Sequence, residues 1–560
     1  MSESVQKHEG QSSQAIERLS KPAIWIFGAT ILGRMLGFVR ESTLAAFFGV
    51  GPEVDAFIMA QTVTYILFSF LGPAIGTAGI PVLSVLHADR KVEAFRNVSL
   101  SLLHVVVIVL VGFTLVGYGM APLLIHTIAP GFTGHQAELA IHLTRMMMPV
   151  TIFLGLAGWA TTVLQSQNKF GYSALSNIPN NAVVIVGMFA AGFLGGIEWV
   201  TVCYVLGVAA QFLIQLPVFK TTGYKWFINL KDKDFKKIIT MAPSTIATGM
   251  GGQINVIVDR FFSSGLAVGS VAALGYGQRI FSLFVGVVQM PILVVLFPKL
   301  SEKAGLGKEE EFMSLIRKGL GILSFFMLPI AAILVLMAIP ITQFLYERGA
   351  FNQTATLITA SIVCFYSIGL PFLSWKEFIL RSFYAMKDSR TPVLNTTMQI
   401  GINVTLNSIS VPIFGIKGLA LSTAISEMVS FFVLYNVLRR RMYKKTGVKV
   451  AHFPFWKSLV SVGVMVAVIF GMSHLLELHL FDRTVQSSFA LALDLGLIVI
   501  ASGLAYLFVS LLLKSDELLF CLKTALHMGS KFLPRKLSGY VMAKNQKREA
   551  RVGSSEKHNL

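Results

Sequence analysis

The stretch Gly33-Arg34-Met35-Leu36-Gly37-Phe38-Val39-Arg40-Glu41 places two guanidiniums and a carboxylate inside a long apolar segment. A cation near the middle of a bilayer costs about 2.5–3.5 kcal/mol on insertion scales, so charge at that depth marks function. Two on one helix point to a wet internal cavity that receives an anion. The alternative is snorkelling to headgroups, which suits Arg40 and suits Arg34 poorly. Six residues separate them, about 9 Å along an ideal helix and about 120° around it. They share a face only if the helix bends, and Gly33 and Gly37 form a small-xxx-small pair that permits this. Arg34 and Glu41, seven apart, do share a face.

Further polar residues sit in other apolar segments. Asp55 opens the next one, either as a helix N-terminal acid favoured by the dipole or as a gate. Arg279, in Tyr276-Gly277-Gln278-Arg279, is again too deep to snorkel. Asp259 and Arg260 follow Gln253-Ile254-Asn255, Asn403 and Asn407 stack one turn apart, and Thr423 lies in the segment after them. Such oxygens are the hard ligands that Na⁺ takes. Residue types alone favour the plainer role, interhelical hydrogen bonds worth about 0.6 kcal/mol each. Arg145, Lys376, Glu377 and Arg381 read as structural: Glu377 and Arg381 are spaced to pair, while Lys376 and Glu377 point apart. The histidines lack metal-ligand spacing, so no other metal is expected. No Walker A motif is present, so ATP is not expected to drive the protein directly. No outward loop is long enough to fold a catalytic domain, so no catalytic residue is assigned and the chain is expected not to be an enzyme. A membrane glycosyltransferase or polymerase would need acids on a large outer loop.

The elements that must hold these residues are membrane spans. The 560 residues are 54% hydrophobic and 13% charged, against about 25% charged in soluble proteins. The net charge of +19 does not imply nucleic acid, because the cations lie in short loops and the C-terminal tail. That is the positive-inside pattern, with attraction to anionic membrane lipids. Cys203, Cys364 and Cys521 form no disulfide framework. Residues 1–21 are polar without a signal-peptide core, so the N-terminus is expected in the cytosol.

Fourteen spans of about 20 or more residues are expected: 22–48, 55–86, 97–124, 138–165, 172–194, 197–219, 238–264, 268–298, 313–345, 354–385, 391–413, 416–438, 455–479 and 487–513. The even-numbered loops carry the cations, including Arg90, Lys91 and Arg96 after span 2 and Arg439, Arg440 and Arg441 after span 12. An N-in, C-in protein follows. The chain also repeats itself. Ala129-Pro130-Gly131-Phe132 answers Arg348-Gly349-Ala350-Phe351, Ile80-Pro81 answers Phe297-Pro298, and Leu164-Gln165 answers Phe383-Tyr384, at offsets of 217 to 219 residues. A duplicated six-span unit puts both copies in one orientation, with the ligand between them. The expected organisation is all-α: a cytosolic N-terminus over 1–21, an N-lobe over 22–220, a basic linker over 221–237, a C-lobe over 238–444, spans 13 and 14 over 455–514, and a basic tail over 515–560.

With these motifs in order, the chain resembles the MurJ (MviN) lipid II flippases of the MOP exporter superfamily. Arg34-Met-Leu-Gly-Phe-Val-Arg40-Glu41, Asp55-Ala-Phe, Ala129-Pro-Gly-Phe132, Arg145-Met-Met-Met-Pro149, Gln253-Ile-Asn255 with Asp259, Tyr346-Glu-Arg-Gly-Ala-Phe351, Arg381-Ser-Phe-Tyr-Ala with Thr391-Pro392, and Gly415-Ile-Lys-Gly-Leu-Ala-Leu421 carry the resemblance over roughly 22–514. It implies two six-helix, MATE-like lobes around a cationic cavity and two added helices that make a groove for a polyprenyl tail. It implies substrate-binding roles for Arg34, Arg40 and Arg279, gating roles for Glu41 and Asp55, and a sodium site at Asp259, Asn403, Asn407 and Thr423. The chain departs from the family where Phe68-Ser69-Phe70-Leu71-Gly72-Pro73 replaces a span 2 arginine pair, and where Asn407 replaces an aspartate found in some members. The implied function is outward flipping of undecaprenyl-pyrophosphate-linked cell-wall precursor across a bacterial inner membrane, in company with the cell-wall synthesis machinery. Another polyprenyl-linked oligosaccharide, from teichuronic acid, capsule or exopolysaccharide, is the alternative cargo. A drug exporter is third, since arginines oppose organic cations.

Overall fold

A computed structural model describes residues 25, 28–72, 74–194, 196–446, 455–478, 480 and 487–519, and they include no strand. The N-terminal segment over 1–21 and the tail beyond 519 lie outside the described residues. Long helices occupy the expected span positions. Residues 28–48 form the first, followed by Pro52–Ala88, Val92–Ile128, Gly134–Ser166, Phe170–Ala191 and Gly196–Thr222. Lys233–Ser264, Ser270–Gly305, Glu309–Leu336, Gln353–Ala385, Arg390–Phe414 and Ile416–Thr446 make the second set. Trp456–Leu475 and Ser488–Leu512 come last. These helices are called spans 1 to 14 below. Eleven of them are long and apolar enough to cross a membrane, so the chain is a multi-pass membrane protein. Spans 1, 7 and 11 fall outside that set. Asp259, Arg260, Asn403 and Asn407, the polar residues of interest, dilute the apolar run in spans 7 and 11.

The duplication is written in the backbone as well as the sequence. Left-handed residues recur in pairs: Gly49 with Gly269, Arg90 with Gly307, Asn168 with Lys387, and Gly196 with Gly415, at offsets of 217 to 220. Each pair lies in the corresponding interhelical turn of the two copies. Glycine relieves the strain at most of them, while Arg90, Asn168 and Lys387 tolerate it.

Three of the apolar clusters show how the two repeats pack. One joins both repeats at the end that the expected topology makes outer, bringing Leu44, Phe57 and Met147 against Val271, Tyr276 and Phe351. A second lies at the inner end of the first repeat but also takes Phe235 and Ile238 from span 7. A third is internal to the second repeat. Span 7 therefore leans its first turns on the first repeat. Its start is Lys233, because the Asp232 carboxylate accepts the N–H groups of Asp234 and Phe235, a cap worth about 1 kcal/mol. The segment expected as a linker over 221–237 is thus partly helical. Its middle is docked on span 3, where Asn229 N–H donates to Ser101 at 3.1 Å and Trp226 meets the His104 ring. Spans 13 and 14 pack on each other and on span 9, with the Tyr506 hydroxyl donating to the Phe325 carbonyl.

Candidate functional site

The end that the expected topology makes outer is closed by backbone. In the first repeat, Gly131 follows span 3 and lies on the end of span 7, where an added Cβ would strike the Ser264 carbonyl and stand 2.5 Å from Gly265 Cα. In the second, Gly349 follows span 9 and lies on the end of span 1, where an added Cβ would strike the Ala46 carbonyl. These two contacts are equivalents under the repeat, each turn sealing against the opposite copy. Ala350 N–H donates to the Ala46 carbonyl at 2.8 Å, and the Ser42 hydroxyl donates to the Leu345 carbonyl. Asp55 completes the closure. It begins span 2, yet its carboxylate accepts the Gly269 and Ala272 N–H groups at 2.6 and 2.7 Å and the Gln136 amide at 3.2 Å. It caps span 8, so the two readings of Asp55 merge: it is a helix N-terminal acid for the opposite repeat, and that bond ties the repeats together. Anionic capping of this kind is favoured by the helix dipole and the unpaired N–H groups.

Beneath the seal lies the arginine cluster. Glu41 is buried and accepts Arg40 at 2.6 Å and Arg279 at 3.2 Å. Arg40 also stands over the Tyr204 ring at 5.9 Å. One carboxylate between two guanidiniums leaves the group net cationic, and the Arg279 side chain is 52% exposed. Arg34 shared a face with Glu41 in the helical reading, but Glu41 turns instead to Arg40 and Arg279. Arg34 is exposed and reaches span 8 lower down, where a Cβ added at Gly286 would fall on its Nη1. Gly286 lies in a π-helical turn, Val285–Gln289, a deformation that often accompanies function. All three arginines therefore lie at contacts between span 1 and span 8, Arg34 against Gly286 and Arg40 and Arg279 through Glu41. Span 1 is positioned by span 5, since the Asn181 amide donates to the Gly33 carbonyl at 3.1 Å and Gly37 lies against the same side chain.

The oxygen-rich residues gather on spans 7, 8, 10, 11 and 12. The Asn407 amide donates to Asn403 at 3.1 Å, and the Asn403 amide to Thr423 at 3.3 Å. Gln278 donates to the Tyr366 hydroxyl at 3.0 Å and stands 3.5 Å from Asp259 Oδ2. Asp259 and Asn407 are buried, and Oδ1 of each is left without a hydrogen-bond partner. Buried acceptors are rarely left so. Each of these oxygens is of the hard type that a small cation takes, while the amides of Asn403 and Asn407 make the hydrogen bonds that residue type favoured.

The remaining charged residues are structural, with one change of partner. Lys376 pairs with Glu427 at 2.8 Å and donates to Gln399, which donates to Glu427 in turn. Glu377 comes within 3.9 Å of Lys376 rather than pairing with Arg381, which lies over Phe297. Sequential residues were expected to diverge; the long lysine stem bridges the gap. Arg145 packs on Tyr118. Gly286, Tyr204 and Gln136 were not foreseen. Glycine and tyrosine carry no local mark of function, and their roles come from partners far away in the chain. An apolar cavity of about 330 Å³ lies between spans 9, 10 and 13, lined by residues including Leu328, Val335, Phe372, Trp375, Val462 and Val466.

Comparison with known proteins places this geometry. The family described as "Lipid II flippase MurJ" matches residues 44–511. A probable lipid II flippase MurJ from Rhizobium tropici is 29% identical, covering 81% of this chain and 87% of that protein. A solved lipid II flippase MurJ in an inward closed conformation superposes with a TM-score of 0.73 at 26% identity, covering 88% of this chain and 99% of that one. An inward-facing multidrug resistance MATE transporter of the MOP superfamily shares the fold, with a TM-score of 0.64 at 15% identity over 76% of this chain and all of its own.

Proposed function

This chain belongs to the lipid II flippase MurJ family, and we propose from that premise that it moves an undecaprenyl-pyrophosphate-linked peptidoglycan precursor from the inner to the outer leaflet. The observation that supports this reading is the placement of Arg34, Arg40 and Arg279 together at the contact between span 1 and span 8, where the two repeats meet beneath the seal. A pyrophosphate entering from the cytosol would meet the exposed Arg279 and Arg34 first. It would compete with Glu41 for the guanidiniums through charge-assisted bonds. Freed from Arg40 and Arg279, Glu41 would no longer tie span 1 to span 8. The repeats could then rock about the cavity and part at the glycine contacts and the Asp55 cap.

In this reading the protein would lie in the bacterial inner membrane with both termini in the cytosol, which the loop charges support. One charge crossing 100 mV is worth about 2.3 kcal/mol. An inside-negative potential would drive the anion outward and draw the empty cationic cavity back. Asp259, Asn407, Asn403 and Thr423 would hold a coupling Na⁺ supplied by the medium. The twelve-helix core is two lobes, and spans 13 and 14 with the apolar cavity beside span 13 would carry the polyprenyl tail. The cell-wall synthesis machinery would supply and take up the cargo. Depletion of this protein in a strain lacking other flippases, with lipid-linked precursors assayed on both leaflets, tests the reading. Accumulation of lipid II on the inner leaflet is expected, and an unchanged distribution refutes it. Accumulation of a different polyprenyl-linked glycan would identify the alternative cargo.

A further inference from the structure

The first repeat carries a second cationic recess, outside the central cavity, at the end that the loop charges place in the cytosol. It is a cavity of about 280 Å³ where the turns after spans 2 and 4 meet the end of span 6. Arg90, Lys169 and His87 line it together with Leu86, Val92 and Phe95. Leu86 and Phe95 are buried and form a floor, while Val92 is 72% exposed. No carboxylate among the described residues comes within ion-pair distance of Arg90 or Lys169. The local acid, Asp89, is held by Lys91 at 2.9 Å.

The second repeat shows what this recess lacks. There Phe312 stands for Phe95, Gly307 for Arg90, Glu309 for Val92 and Asp388 for Lys169, at the repeat's offset. Asp388 is paired with Arg441 and Glu309 with Lys445. Glu311 further binds Lys303 and Lys308 at 2.9 and 3.0 Å. The copy in the second repeat thus neutralises itself, whereas the first repeat presents cations over an apolar floor. Exposed Phe170, Tyr172, Tyr224 and Trp226 lie on the same end of the first repeat. Aromatic residues of this kind settle at headgroup depth, so the recess opens at the level of lipid phosphates.

We propose that this recess binds the phosphate headgroup of an anionic phospholipid of the inner leaflet. Arg90 and Lys169 take the phosphodiester oxygens, and Leu86, Val92 and Phe95 cover the glycerol and the first methylenes. The proposal rests on the inward placement of this end and not on the cargo of the central cavity. It therefore fails or stands separately from the flippase reading, which the precursor distribution tests.

Native mass spectrometry of the purified full chain, titrated with phosphatidylglycerol or phosphatidylcholine, reads the site. Each cation near a charged lipid contributes about fivefold in affinity, so Arg90→Gln with Lys169→Gln should weaken phosphatidylglycerol retention about 25-fold. Retention of phosphatidylcholine should not change. Lys169→Gln alone, at an exposed position without a carboxylate partner, should lose about fivefold and serves if the double variant folds poorly. Lys303→Gln, in the self-paired counterpart, should leave retention as in wild type. Equal phosphatidylglycerol retention in wild type and the folded Arg90/Lys169 variants overturns the proposal. So does an equal loss in Lys303→Gln, which would make the effect one of general charge. Displacement of the lipid by millimolar inorganic phosphate would assign the recess to soluble anions and also overturn it.

Discussion

Replacing Gly131 with alanine should open the outer face. The atoms a Cβ would meet there are backbone: the Ser264 carbonyl and Gly265 Cα at 2.5 Å. No side chain can rotate away, so the methyl can be housed only by moving the span 3 turn off the end of span 7. Forcing an extra carbon into a packed contact costs about 1–3 kcal/mol. Here the cost falls on the closed state alone, because the contact is made between repeats and is lost when they part. A bias of that size shifts the closed-to-open ratio by about 5- to 150-fold. A cysteine at Ala272, buried behind the seal, reports the change through labelling by a membrane-impermeant maleimide added outside. Labelling should rise in Gly131→Ala, with Gly134→Ala as a poor control because its backbone is left-handed and Gly112→Ala as a good one because nothing lies near it. Unchanged labelling in a variant present at normal membrane levels would refute the idea that these glycines close the outer face.

Charge reversal in the cavity, Arg34→Glu or Arg279→Glu, should abolish complementation of a flippase-depleted strain while leaving membrane levels normal; wild-type growth of both would end the anion-cavity reading. If Na⁺ sits at Asp259, Asn403, Asn407 and Thr423, NaCl should raise the melting temperature of the purified protein more than KCl does, and Asp259→Asn should remove most of the difference. An equal sodium-specific shift in both proteins would exclude Asp259 as a ligand. Truncation after about residue 450 should leave an inserted twelve-span core that no longer carries long polyprenyl substrates, as judged by insertion and by precursor transport; normal transport would remove the groove from the mechanism. Asp388 predicts a pH effect outside the membrane. Burial works to raise its carboxyl, but hydrogen bonds from Thr391 and the Arg441 charge outweigh this and hold it below the ordinary aspartate value. Its stabilisation is therefore complete above about pH 3.9 and is lost as pH falls through the lowered value. Asp388→Asn should flatten that part of a melting-temperature profile, and an unaltered profile would show that the pair contributes nothing.

Much of this protein was legible without coordinates, for identifiable reasons. Arg34, Arg40 and Arg279 stand out because a cation within an apolar run is anomalous wherever the run folds. Hydropathy marks most of the helices because the bilayer demands length and internal hydrogen bonding. The duplication was visible in Gly131 and Gly349, in Pro81 and Pro298, and in Leu164-Gln165 and Phe383-Tyr384, since all are local marks repeated at nearly one offset. Spans 7 and 11, expected from the sequence as well, are less apolar because Asp259, Asn403 and Asn407 count against hydropathy.

What lay beyond the sequence was partnership. Periodicity put Glu41 on a face with Arg34, but the carboxylate went to Arg40 and to Arg279, more than two hundred residues away. Asp55 read as the start of its own helix, and only the packed structure aims it at the N–H groups of Gly269 and Ala272. Gly286 had no mark until Arg34 lay over it. A residue's own chemistry and the rhythm of its helix are set by near neighbours in the chain. Which side chain answers it is decided by how two copies of one unit are brought face to face, and that depends on the packing of every helix between them.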